Sequence, residues 1–188
     1  MVQTPPKPIT LDEFLKLPET EPASEFIEGK VFQKPMPQGQ HSRIQQKLTA
    51  TINAVVEDAQ IALALPELRC TFSGRSIVPD IAVFAWERIP TNEDGAIANT
   101  FAAHPDWTIE ILSPDQSATR VITNILHCLN HGTQIGWLID PAEQLVLVYT
   151  PQQQPQVFDA ESNHLPVPAF AAELQLTVGQ VMGWLKVK

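Results

Sequence analysis

Basic residues are scarce in this chain: 12 Lys and Arg stand against 21 Asp and Glu, for a formal net charge of −9. No surface-wide cationic field is therefore available to hold phosphate backbones without specificity, which excludes a generic nucleic-acid coat protein. Long apolar runs are missing too, and none approaches the roughly 20 residues that cross a bilayer. The opening MVQTPPKPIT lacks the apolar stretch of a secretory signal, so a cytoplasmic location is expected. Cysteine is limited to Cys70 and Cys128, far apart and without paired spacing, which suits buried reduced thiols rather than a disulfide framework. No glycine-rich phosphate loop of either common spacing occurs, which disfavours nucleoside-triphosphate and dinucleotide enzymes. Ser113 precedes a proline and no Gly-x-Ser-x-Gly surrounds it, so it reads as part of a turn and not as a nucleophile.

Proline, by contrast, is plentiful: 17 of 188 residues, scattered and not gathered into a tract, which punctuates many short elements. The length suits one compact domain over residues 1–188, with residues 1–9 as a flexible arm. Thr10-Leu11-Asp12-Glu13 has capping-box spacing and predicts a short helix from Leu11 to about Leu17. EFIEGKVFQ, residues 25–33, predicts a hairpin turning at Glu28-Gly29. Ile44, Leu48, Ile52 and Val55 or Val56 repeat at helical spacing and predict a helix over about 41–58, after a turn-rich KPMPQGQ segment. Five strands are predicted at 67–73, 77–84, 107–112, 134–139 and 144–150. A helix over about 117–131, ending at Gly132, and a final Thr177-capped helix complete the pattern. Residues 91–100, TNEDGAIANT, read as a surface loop. Helix and strand alternate, which points to an α/β domain with a central mixed sheet flanked by helices.

The chemistry lies in two acids placed where strand burial should exclude them. Ile77-Val78-Pro79-Asp80-Ile81-Ala82-Val83-Phe84 and Trp107-Thr108-Ile109-Glu110-Ile111-Leu112 each carry one carboxylate in an apolar run with no Lys or Arg of its own. A buried carboxylate needs a cation, a raised pKa or a metal ion. Two acids converging on one site favour the metal, and hard oxygen ligands in an open site suit Mg²⁺ or Mn²⁺. His127 and His131 stand at i, i+4 around Cys128, a spacing that could hold zinc; without a further Cys pair, the dipole at the helix end is the simpler account.

Pro79-Asp80, then Glu110-Ile111-Leu112-Ser113-Pro114, a helix, and Gly136-Trp137-Leu138-Ile139-Asp140-Pro141 together resemble the Uma-type family of restriction-endonuclease-like proteins, within the PD-(D/E)XK nuclease superfamily. Glu25-Phe26-Ile27-Glu28-Gly29-Lys30 and His41 match the family's N-terminal pattern, so the resemblance spans roughly residues 10–150. It implies a restriction-endonuclease-like fold and a metal-dependent endonuclease acting on nucleic acid, most simply DNA. Asp80 and Glu110 would hold Mg²⁺ or Mn²⁺ with the Ile111 carbonyl, and Glu25 would assist. Arg43, Lys47, Arg69, Arg75 and Arg120 are candidates for a basic patch that grips the substrate. A homodimer is expected, since two strands of a duplex invite paired active sites.

The chain departs from this pattern at one place. The superfamily puts a lysine two positions after the Glu, where this chain has Leu112, and the alternative lysine on the following helix aligns with Asn124, or with Thr123 if the register slips by one. Arg120 is the one cation on that helix. Neutral Asn donates a hydrogen bond but adds no charge, and Arg stays protonated and cannot act as a base. Two readings follow: an endonuclease without the usual lysine, with Asn124 or Arg120 near its place, or a module that keeps the fold and binds nucleic acid or a protein partner without cleavage.

Overall fold

The computed structural model describes residues 9–114 and 116–188; the expected arm, apart from Ile9, lies outside them. The chain opens with α1 (Leu11–Phe14), whose Thr10–Glu13 capping box forms as its spacing predicts, but the helix stops at Phe14, short of Leu17. The hairpin follows as β1 (Ser24–Ile27) and β2 (Lys30–Gln33), with Glu28 and Gly29 at positive φ in the turn. Next comes α2 (Gly39–Val56), which buries His41, Ile44, Leu48, Ile52 and Val56 on one face.

The middle of the chain differs most from expectation. Where two strands were expected, at 67–73 and 77–84, the chain has four: β3 (Ala62–Pro66), which precedes both ranges, β4 (Cys70–Phe72) within the first, β5 (Arg75–Ile77), which meets the second only at Ile77, and β6 (Ile81–Ala85). Positive φ at Glu67, Ser73 and Gly74 turns the chain between them. Asp80 is therefore not inside a strand: it sits in the bend between β5 and β6, just after Pro79. Then come β7 (Trp107–Ile111), α3 (Ala118–Asn130), β8 (Ile135–Asp140), β9 (Leu145–Tyr149), β10 (Gln156–Phe158) and α4 (Val178–Gly183). Residues 91–100 form the surface loop that their composition predicts, closed by a single bridge from Thr91 to Ile97.

These strands make a six-stranded sheet, ordered β10-β9-β8-β7-β6-β3, and a second four-stranded sheet, β2-β1-β5-β4. The larger sheet is mixed: β7 and β8 run parallel, joined by α3, and its other neighbours are antiparallel. A parallel pair requires such a crossover. Period-two alternation then sorts β7: Trp107, Ile109 and Ile111 join the core beneath α2 and α4, and Thr108 and Glu110 point to the opposite face. On that face α3 packs over Leu138 and Tyr149, and Ile27, Cys70, Ile77, Ala82, Phe84 and Cys128 fill the space between the two sheets. Both cysteines are free and buried. Among the described residues, no helix is long and apolar enough to cross a membrane.

Candidate active site

Asp80 owes its position to the bend. Pro79 has no N–H to give to a ladder, and the adjacent Val78 turns both of its backbone groups to side chains: its amide donates to Glu25 Oε1 at 2.9 Å, and its carbonyl accepts from Lys34 Nζ at 2.7 Å. The Lys34 ammonium also meets Asp80 Oδ1 at 2.7 Å and Glu110 Oε2 at 3.6 Å. Asp80 Oδ2 accepts from the Ile111 amide at 2.7 Å and lies 3.1 Å from His41 Nε2. Ile111 thus enters the site through its N–H. Glu25 Oε2 accepts from Asn124 Nδ2 at 3.0 Å.

Four elements and two connections supply these groups: β1 gives Glu25, α2 His41, β7 Glu110 and α3 Asn124, Lys34 follows β2 directly, and Asp80 comes from the bend between β5 and β6. In the hairpin Glu25 stands opposite Phe32, and period-two alternation carries Lys34 to the same face as Phe32. All three carboxylates are buried, with Asp80 1%, Glu110 2% and Glu25 4% exposed.

The electrostatics separate the two central acids. Burial alone would raise the pKa of Asp80, but Lys34 and His41 outweigh it and hold the group well below the usual carboxylate range. Burial raises Glu110 well above its ordinary value, and the charges of Asp80 and Glu25 add to this against the pull of Lys34. Lys34 itself would be lowered by burial, yet the three surrounding carboxylates raise it above the ordinary lysine value.

Among the described residues, no three His, Cys, Asp or Glu side chains stand ready as a group to hold a metal ion. The donor chemistry nevertheless fits a hard divalent cation. Three buried carboxylates face one ammonium, and Glu110 Oε1 is buried with no hydrogen-bond partner. Mg²⁺ typically binds through one or two carboxylates and keeps its remaining positions for water and phosphate, so a preformed cage of three is not required.

The expected residues converge to different degrees. Asp80, Glu110, Glu25 and Asn124 come together. Thr123 does not: it is exposed and donates to the Thr119 carbonyl. Arg120 lines a cleft beside Glu25, Lys34, Glu110 and Asn124, its guanidinium 4.2 Å over the Phe32 ring. The proposed basic patch does not assemble. Arg69 and Arg75 pair with Glu19 and Glu28, Arg43 reaches the Trp184 carbonyl, and of the five only Arg120 lines this cleft. His127 stacks on Phe72 at 4.7 Å, and His131 Nδ1 lies 2.7 Å from the His127 carbonyl.

Lys34 is what a search at Leu112 and along the 117–131 helix overlooks. It opens the proline-rich KPMPQGQ segment, which reads as a turn, and its partners are 46 and 76 positions away in sequence. The usable signal was the hairpin register, which puts Lys34 on the face of Glu25.

A crystal structure of a nuclease, described as putative and belonging to DUF820, from Anabaena variabilis ATCC 29413 is 64% identical to this chain, covering 95% of it and 100% of that chain, with a TM-score of 0.94. No curated protein matches. The model of the Uma2 family, described as "Putative restriction endonuclease", matches residues 11–179, and the chain belongs to that family.

Proposed function

We propose that this protein is a divalent-metal-dependent endonuclease that hydrolyses phosphodiester bonds of DNA. The observation that carries this reading is the Lys34 ammonium lodged between the Asp80 and Glu110 carboxylates. It supplies a cation where the lack of the usual lysine had left a non-catalytic binding module as the alternative reading.

Asp80 and Glu110 would hold Mg²⁺ or Mn²⁺, with the Ile111 carbonyl as a backbone ligand. The bound ion would lower the pKa of the attacking water and offset charge developing on the phosphate. The remaining work falls to the chain's own groups. Lys34, raised by its carboxylate neighbours, stays protonated, so it serves as a hydrogen-bond donor and fixed positive charge and not as a general base. It can orient the water and stabilise a phosphate oxygen as negative charge builds. The Ile111 amide and His41 fix the Asp80 carboxylate, and its depressed pKa keeps it ionised. Asn124 and the Val78 amide hold Glu25 in place, where its charge helps keep Lys34 protonated. Arg120, on the rim, offers a second cation to the substrate.

Nicking of supercoiled plasmid with Mg²⁺ or Mn²⁺ tests the reading, with a chelator control and the Glu110→Ala protein purified alongside. Cleavage that needs the metal and disappears in the variant is expected. Equal inertness of both folded proteins would overturn it in favour of the binding module, and equal cleavage by both would reveal a contaminant.

A further inference from the structure

We infer that the larger cleft beside Lys34 takes an unstacked nucleobase of the substrate strand, so that the protein engages single-stranded or locally unpaired DNA. This rests on the nuclease reading above and adds a substrate class to it. Lys34, Pro35 and Gln116 line two clefts at once, so the ammonium stands at the junction between them. The two sides differ in size and character. The side with Arg120 encloses about 30 Å³, room for a phosphate oxygen or a water. The other encloses about 330 Å³, within the range of pockets that hold small organic groups.

Charge decides what each side accepts. On the small side Arg120 and Lys34 face Glu25 and Glu110, two cations for two carboxylates, which leaves it the more receptive of the two to phosphate. Among the described residues, the large side has no Lys or Arg beyond Lys34 and is bordered by Glu21, Glu67 and Asp80, so a second phosphate would be repelled there. Its walls include Pro22, Met36 and Pro37. Met36 is 62% exposed, a large apolar side chain held at the mouth of a polar site.

An uncharged, flat, partly apolar group bearing hydrogen-bonding edges meets these conditions. A nucleotide whose phosphate lies at Lys34 carries such a group one sugar away. Glu67 can accept from an exocyclic amine of the base, and Gln116 can both donate and accept. Inside a duplex that base is stacked and cannot reach the cleft; unpaired, or already single-stranded, it can enter at little cost.

The test is fluorescence anisotropy in chelator, which keeps strands intact. Its probes are a labelled twelve-nucleotide single strand, the same sequence as duplex, and an abasic chain of equal length. The single strand is expected to bind at least tenfold more tightly than the other two. Met36→Glu should remove that preference and Met36→Leu should keep it; Met36 is exposed, so neither change disturbs the core. Equal affinity for single strand and abasic chain, a preference for duplex, absence of strand binding, or an unaffected Met36→Glu protein would each overturn the inference. Wild-type cleavage with Mg²⁺, followed separately, judges the nuclease reading, so the failure of one is distinguishable from the failure of the other.

Discussion

Asp80 and Glu110 share one ammonium yet hold their protons very differently, and this has a measurable consequence for stability. The folded pKa of Glu110 lies above the unfolded value of about 4.3, so the folded protein binds that proton more tightly than the unfolded chain does. Its contribution to stability is therefore full below that pH and declines as pH rises toward the folded value. Asp80 behaves oppositely: its folded pKa is depressed, so its contribution is present above about 3.9 and is lost as pH falls through the folded value. Urea denaturation in chelator should show Glu110→Gln gaining on wild type as pH rises from 4.3. It should show Asp80→Asn losing about 3–5 kcal/mol at neutral pH, the usual consequence of breaking a buried ion pair. The two acids were legible in sequence because each interrupts an apolar run. Lys34 was not, since a lysine next to prolines in a polar segment looks like solvated surface, and only the register of the preceding hairpin turns it inward.

At the level of elements, α3 determines whether Asn124 and Arg120 reach the site. Its seat on β8 is close: a Cβ at Gly136 would collide with the Ile125 side chain and touch the Thr108 side chain at 3.4 Å. Gly136→Ala should therefore push α3 outward and destabilise the fold by about 1–3 kcal/mol, the range for overpacking; its cleavage rate, measured at a temperature where the variant stays folded, should fall as well. The long helices and the apolar strands β7, β8 and β9 were readable from periodicity. β3, β5 and β10 were not. β3 reads ALALP, whose alanines carry little strand signal, and its place at the sheet edge is secured by Asn53, which exchanges two hydrogen bonds with the Ala64 backbone at 3.0 and 2.8 Å. β5 and β10 are three residues each, too short for alternation to register. The second sheet was missed for the same reason: it joins a hairpin and two short strands that are far apart in sequence.

For the whole molecule, the expected α/β architecture holds because helix and strand alternate around one parallel pair, and the Uma-type resemblance was carried by motifs whose order survives although Leu112 stands at the superfamily's lysine position. Three buried carboxylates supply hard oxygen donors at the site, so a divalent ion that binds only the folded state should stabilise the entire fold by mass action. At a concentration of 100 Kd this amounts to about 2.7 kcal/mol. Thermal denaturation should show Tm rising with Mg²⁺ in wild type and not in Glu110→Gln. The homodimer expected for cutting two strands loses force if the substrate is a single strand, and sedimentation at working concentration separates the two cases. The proposed phosphodiester chemistry depends on Lys34. The direct measurement is the single-turnover rate of plasmid nicking in Mg²⁺ by wild type and Lys34→Met, with Lys34→Arg keeping the charge and circular dichroism confirming the fold of each. A loss of about two to three orders of magnitude in Lys34→Met, partly restored in Lys34→Arg, is predicted for a cation that stabilises the transition state. A folded Lys34→Met protein that nicks at the wild-type rate would contradict it.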